Sequence, residues 1–306
     1  MRTFHEHVSE CIVVSGQHWG GDWTQVKLAA LREYLKMYAT ALRNQSFGRI
    51  YIDAFAGTGY RSQPTKLDEG TSLFEEFKET DQFAKGSARI ALEIDPPFTR
   101  YVFIEKDTRK FTELKRMIET DFPNKIAEID FRNDDANAAI PELCRSTEYW
   151  RRNRAVLFLD PYGMQVDWTT LAAVAQTRAI DTWYLFPAFI GLGRMLPHSG
   201  IVPPEWENTL DRCLGETNWR NEFYQTSTTA DLFDLPQDSR ERRLDRDKVE
   251  RYFRQRLASV FAGVAPRALP LLNSRGVLMY QLFFACNGNE KARTLALKLA
   301  RQVLKG

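Results

Sequence analysis

Cysteine and histidine are scarce in this chain, with four of each in 306 residues. The cysteines, Cys11, Cys144, Cys213 and Cys286, stand far apart without a CxxC pair, which excludes a zinc ribbon or an iron–sulfur cluster and fits core thiols of a reducing compartment. His5, His7, His18 and His198 lack HExxH spacing, so no metal site is expected. Long apolar runs are missing too: the longest, near Trp183 to Leu192, falls far short of the ~20 residues that a membrane span needs. Met1 to Val14 carries no basic segment followed by an apolar core, and a cytoplasmic protein is expected. Neither sign of charge dominates. Lys and Arg number 42 against 40 Asp and Glu, a net +2, so any contact with nucleic acid must be confined to a local face. With 43% apolar and 27% charged residues the composition is that of an ordinary globular protein, free of repeats and low-complexity tracts.

What is present is alternation. From Asp22 to Arg43 the apolar residues Trp23, Val26, Leu31, Tyr34, Leu35, Tyr38 and Leu42 recur at three- and four-residue intervals, the pattern of an amphipathic helix that Asp22 could cap. Arg49 to Phe55 is short, apolar and β-branched and runs into Ala56-Gly57-Thr58-Gly59, a strand entering a glycine turn. Tyr101 to Glu105 repeats the strand pattern, followed by an amphipathic segment from Thr108 to Thr120. Lys125 to Phe131, Ala155 to Leu159, Asp181 to Phe186 and Gly276 to Ala285 read as further strands, with helices over 167–177 and 290–304. The alternation predicts one α/β domain over 1–306, a doubly wound, mainly parallel sheet whose ligand lies at the carboxyl ends of its strands. Two stretches break the pattern and read as insertions: 61–92 as a loop or lid, and 197–274 as a mostly helical cap before the last strand.

Chemistry concentrates at the strand ends. Asp53-Ala-Phe55-Ala-Gly57-Thr-Gly59 combines an acid with glycines that permit close backbone approach to a ligand, although a strand-to-helix turn alone would ask for the same glycines. Glu105 ends the next strand, where an acid can hold both hydroxyls of a ribose, and Asp134-Asp135 follows the third, within reach of an adenine edge. After the fourth comes Asp160-Pro161-Tyr162-Gly163. A nicotinamide dehydrogenase needs no such segment and carries three fingerprint glycines where only Gly57 and Gly59 stand here. An enzyme that methylates an amino group has a use for it: the Asp160 carboxylate and Pro161 carbonyl can accept from an NH2 and aim its lone pair, while Tyr162 offers a stacking face. The competing structural reading makes Asp160 a helix cap and Tyr162 a packing residue.

Taken together, Trp23-Thr24 with Lys27-Leu28 and Tyr34-Leu35, Ile52 to Gly59, Phe158 to Met164, and Leu185-Phe-Pro187 resemble class I, Rossmann-like S-adenosylmethionine-dependent methyltransferases, and more closely the three-Cys-motif partner family, TcmP. The resemblance covers roughly residues 20–200 and the final strand and helix. It implies a class I methyltransferase type of sheet and S-adenosylmethionine as cofactor. It further implies Asp53, Phe55, Gly57 and Gly59 around the methionine moiety, Glu105 on ribose, Asp134 or Asp135 near adenine, and Asp160, Pro161 and Tyr162 at the acceptor. A three-cysteine-motif protein encoded nearby is the implied partner. Two features depart from a compact nucleoside site: the interval from Asp53 to Glu105 far exceeds ~20 residues, and Tyr162 follows Pro161 directly without a second proline.

Between Arg240 and Arg256 eight Lys and Arg stand against four acids. Such a face can bind the phosphates of nucleic acid, or the acids can pair at i,i+4 on a solvated helix. The sequence therefore predicts a methyltransferase acting on an amino nitrogen of a nucleic-acid or other macromolecular acceptor. The alternative is a non-catalytic methyltransferase-like binding partner of the three-cysteine-motif protein.

Overall fold

The computed structural model describes residues 23–59, 86–226 and 240–305. After α1 (Trp23–Ala41), the chain forms β1 (Gly48–Asp53), α2 (Ser87–Leu92), β2 (Arg100–Ile104), α3 (Thr108–Asp121), β3 (Ile129–Arg132), α4 (Ala136–Cys144), α5 (Thr147–Arg152), β4 (Asn153–Leu159), α6 (Trp168–Thr177) and β5 (Ile180–Phe186). A π-helical turn over Ala188–Gly193 leads to α7 (Pro204–Leu214), α8 (Trp219–Phe223), β6 (Tyr224–Thr226), β7 (Arg240–Arg242), α9 (Arg246–Ala258), β8 (Gly263–Val264), β9 (Leu269–Leu272), β10 (Leu278–Cys286) and α10 (Glu290–Val303).

Strands β1 to β5 are parallel in the order β3-β2-β1-β4-β5, and β10 continues the sheet antiparallel to β5. This is the doubly wound, mainly parallel arrangement expected. Its central strands are buried on both faces, which is why Ile50–Asp53, Tyr101–Ile104 and Ala155–Leu159 read as continuous apolar runs rather than alternating ones. One face is covered by α1, α2, α3 and α10, the other by α4, α6 and α9, each through its own apolar stripe. Local caps stop the helices from sliding: Asp107 accepts from Arg109 N and Lys110 N, Asp245 from Lys248 N, and Asn289 from Ala292 N. From β1 the chain steps outward through β2 to β3 and then returns to lay β4 on the other side of β1. In open α/β sheets such a reversal is where a ligand crevice forms, here between the carboxyl ends of β1 and β4.

Two expected boundaries are corrected. The segment 61–92 is not an insertion to its end: 61–85 lies outside the described residues, but Ser87–Leu92 is a helix with Ala88, Ile90, Ala91 and Leu92 buried, and it covers the sheet. The segment 197–274 is not wholly an inserted helical cap. Strands β8 and β9 both pair with β10, and α9 lays Val249, Phe253 and Leu257 on the sheet, with Phe253 stacked on Phe186 at 3.8 Å. Only α7, α8 and the β6–β7 ribbon project from this layer, and Trp219, fully buried with Nε1 donating to Asp211, is their core rather than a stacking platform. Among the described residues no helix is long and apolar enough to cross a membrane, and no group of His, Cys, Asp and Glu could hold a metal. Cys144, Cys213 and Cys286 are free, and burial pushes the first two thiols up to about 12.

Candidate active site at the carboxyl edge

The four chemical segments meet because each follows a parallel strand. Asp53 closes β1 beside Phe158, and the chain then turns through Gly57 and Gly59 with φ of 60° and 75°, values that an L side chain rarely adopts. Their surroundings differ. At Gly59 a Cβ would collide with Met117 and Leu114, and Gly86 packs so closely that its amide donates to Gly59 O at 3.0 Å; at Gly57 a Cβ would meet nothing within 4 Å. Gly59 is thus required by packing and Gly57 by backbone conformation, and among the described residues nothing crowds the Gly57 side of the turn.

Glu105 lies directly against that turn. Gly57 N donates to its Oε2 at 2.9 Å and Asp107 N to its Oε1 at 2.8 Å, which leaves further lone pairs on both oxygens. Asn133, after β3, donates through Nδ2 to the backbone carbonyls of Glu105 and Lys106. Asp135 caps α4 at Asn137 N and pairs with Lys106 at 3.0 Å, while the exposed Asp134 accepts from Asp135 N. The cap and the cation hold the Asp135 carboxyl below its ordinary range against the opposing effect of desolvation. Asn137 then ties α4 to the β4 loop, donating to Gln165 O and accepting from Asp167 N and Thr170 Oγ1. Contact is therefore continuous from the glycine turn to the loop carrying Asp160, Pro161 and Tyr162.

One predicted residue faces away from the opening. Asp53 has no exposed surface and points beneath α2, accepting from Tyr51 Oη at 3.1 Å, from Ser87 and from Phe55 N. Desolvation pushes its carboxyl up to about 6, with the nearby Asp160 charge adding to the rise and those hydrogen bonds opposing it. A ligand in the crevice can touch the backbone here but not this carboxylate. Phe55 is half-buried and packs on the opposite core.

Asp160 caps no helix. Its Oδ2 accepts from Lys27 Nζ at 2.6 Å, a residue of α1 more than a hundred positions away. Pro161 is buried, whereas Tyr162 is 64% exposed, with its backbone amide on Gln165 Oε1. Trp23 and Tyr280, their ring centroids 4.7 Å apart, complete this side of the crevice, Trp23 lying 5.1 Å from the Lys27 ammonium. Neither Lys27 nor Tyr280 stood out in the sequence as chemistry. One signal was available: Lys27 occupies a position of the apolar stripe running from Trp23 through Leu31 to Tyr34, where a charge has no reason to be unless it meets a partner.

The basic segment divides. Arg242 donates to Gly193 O and Leu196 O, and Arg256 to Leu214 O and Gly215 O, so both are bound to the fold; Arg243 and Arg246 stay exposed near the carboxyl edge. Arg151, Arg152 and Arg154 flank the start of β4 at the opposite edge and cannot extend that face. A shallow depression at the amino edge, between the last turns of α6 and α9, is lined by Ala175, Gln176, Arg178 and Val260 and is remote from all of these groups.

No family model matches the chain, and no curated protein matches it. Among solved structures, protein LPL1258 of Legionella pneumophila is similar over 94% of this chain and 94% of its own, with 11% identity and a TM-score of 0.46. Trm1 of Pyrococcus horikoshii, solved with S-adenosyl-L-methionine, is similar over 91% of this chain and 58% of its own, with 13% identity and a TM-score of 0.44. The plantazolicin methyltransferase BpumL, solved with SAH, shares 11% identity over 86% of each chain, with a TM-score of 0.32. At these values the likenesses carry no argument about activity, and the fold stands on the strand order.

Proposed function

We propose that this chain is an S-adenosylmethionine-dependent methyltransferase that transfers methyl to an amino nitrogen of a macromolecular acceptor, a nucleic acid in the first instance. The carrying observation is the placement of Glu105 against Gly57 on one side of the crevice and of the Asp160 carboxylate on the other. The residues fit such a cofactor: the open side of the Gly57 turn admits its backbone-bound part, and the remaining lone pairs of Glu105 suit two vicinal hydroxyls. Asp134 and Asp135 would flank the base. When bound, the cofactor supplies a methyl group activated by a sulfonium. The chain itself positions: Asp160 and the Pro161 carbonyl accept from the acceptor amine, and the exposed Tyr162 ring gives its planar body a surface to stack on. Positioning of this kind supplies much of the rate in a transfer that needs no covalent intermediate. The TcmP reading, with a three-cysteine-motif partner, rests on the sequence motifs alone.

A non-catalytic role as a binding partner is favoured by one observation, the Lys27 ammonium already seated on Asp160. Calorimetric titration with S-adenosylmethionine, followed by transfer of labelled methyl to total RNA, sheared DNA and a protein extract, separates the two. Glu105→Ala should weaken cofactor binding by ~1.5–3 kcal/mol, the range for hydrogen bonds to a charged group. Because Glu105 also anchors the turn, Glu105→Gln, which keeps one carbonyl acceptor, should lose less, and a melting curve on each variant shows that the chain stays folded. Unchanged affinity in a folded Glu105→Ala chain would defeat the ribose assignment.

A further inference from the structure

Lys27 has no role assigned in the proposed reaction, yet it is among the most buried charged side chains described, at 7% side-chain exposure. Stability does not account for it. A methionine would fill the same volume without desolvating an ammonium, and a single ion pair rarely repays that desolvation. The geometry supplies another account. Lys27 Nζ takes Oδ2 of Asp160 at 2.6 Å, and among the described residues no donor reaches Oδ1. The Asp160 side chain keeps 20% exposure, enough for an incoming group to reach it.

An aspartate carboxylate rotates broadly about its last torsion, so an unanchored one presents either oxygen in many directions. A charge-assisted bond to one oxygen fixes that plane and leaves the other oxygen with a defined direction. The anchor is itself held. Trp23 lies over the ammonium and against Tyr280, and two turns further along α1 Tyr34 Oη donates to Asp181 Oδ2 of β5 at 2.8 Å, pinning the helix to the sheet. We propose that Lys27 is a positioning residue: α1 brings its ammonium to one oxygen of Asp160 so that the other is aimed at the acceptor amine. The inference rests on the methyltransferase reading of Asp160 and extends it to the N-terminal helix, which becomes part of the acceptor site rather than a cover for the sheet.

The test uses the full chain and three readouts: melting temperature, calorimetric affinity for S-adenosylmethionine, and transfer of tritiated methyl to total RNA, sheared DNA and a protein extract. Lys27→Met should bind cofactor within about threefold of the parent while its transfer rate at saturating acceptor falls ~10²-fold with half-saturation unchanged, since lost orientation is felt in the transition state. Lys27→Arg, which can still donate to Oδ2, should recover ~10-fold of that loss. Asp160→Ala should show the same defect, and the double variant should lose no more than the worse single one, as expected of residues acting as a unit. Should Lys27→Met fail to fold, Lys27→Gln carries the same expectation. A folded Lys27→Met or Lys27→Gln chain with parental transfer overturns the proposal, as does a loss confined to half-saturation or a methyl mass found on Lys27 itself. Cofactor binding by the parent without transfer to any of the three pools overturns the enzyme reading and this proposal with it. Absence of cofactor binding, which the titration identifies, defeats the underlying reading and this proposal together, whereas parental transfer by a folded Lys27 variant defeats the proposal alone.

Discussion

At Asp53, folding and ionisation oppose each other. The carboxyl is fully buried, has no cation beside it among the described residues and faces the charge of Asp160, so it ionises only near pH 6 in the folded chain against about 4 when unfolded. Below pH ~4 it is neutral in both states and costs nothing. Between ~4 and ~6 the unfolded chain loses its proton first, and stability falls as pH rises. The shift corresponds to at most ~3 kcal/mol at pH 8. Asp53→Asn should therefore unfold at the same urea concentration as the parent at pH 4 but gain ~1–3 kcal/mol at pH 8. The hydroxyls of Tyr51 and Ser87 can accept from the new amide as readily as they donate to the carboxylate. Equal stability of the two chains at pH 8 would mean that the carboxylate is solvated. The same burial explains why an acid at the end of a strand, read in sequence as a ligand group, faces the protein interior: Tyr51 and Asp53 are two residues apart on one strand and so share a face, and that face lies under α2.

Helix α9 shows why an element can be polar in sequence and central in space. Its charges outnumber its apolar residues, but Val249, Tyr252, Phe253 and Leu257 fall on one stripe, and Phe253 fits between Tyr184, Phe186 and Phe283 at centroid distances of 5.5, 3.8 and 5.1 Å. Removing that ring leaves a cavity in the sheet's covering layer, and Phe253→Ala should cost ~3–5 kcal/mol in denaturant unfolding. A loss below ~1 kcal/mol would restore the reading of this segment as an inserted cap. Three other elements were illegible for related reasons. Helix α4 contains Pro141 and is only nine residues long, too short for a periodic signal, and β8 and β9 are brief strands whose place is created entirely by β10.

Across the whole molecule the two edges of the sheet are chemically distinct. Acids and the lysines Lys27 and Lys106 gather at the carboxyl edge, and the arginines around α5 and the start of β4 at the amino edge. Among the described side chains of the basic segment, Arg243 and Arg246 are exposed at the start of α9, where Arg246 O accepts from Gln281 beside the carboxyl end of β5, so phosphate binding in the proposed reaction is assigned to them. Arg243→Glu with Arg246→Glu should flatten the dependence of log affinity on log salt by about 2 for a nucleic-acid acceptor, one for each phosphate no longer neutralised. Arg242→Glu should instead lower the melting temperature, because its guanidinium satisfies Gly193 O and Leu196 O. A salt slope that the double variant leaves unchanged would assign the acceptor to another face or another chemical class.

The order of strands and helices, the glycine turn and the run of acids after successive strands were all determined by the sequence, because hydrophobic period and backbone freedom are local properties that a few neighbouring residues set. From them followed the doubly wound sheet and the edge at which the proposed cofactor would bind. The tertiary structure decided what each acid does. Glu105 braces Gly57, Asp135 caps α4, Asp53 is buried under Ser87, and Asp160 is held by Lys27, four fates for one kind of side chain at one kind of position. The roles diverge because a carboxylate is governed by which donors reach it and how much water remains, and those donors come from residues up to 133 positions away along the chain, where no local pattern can register them.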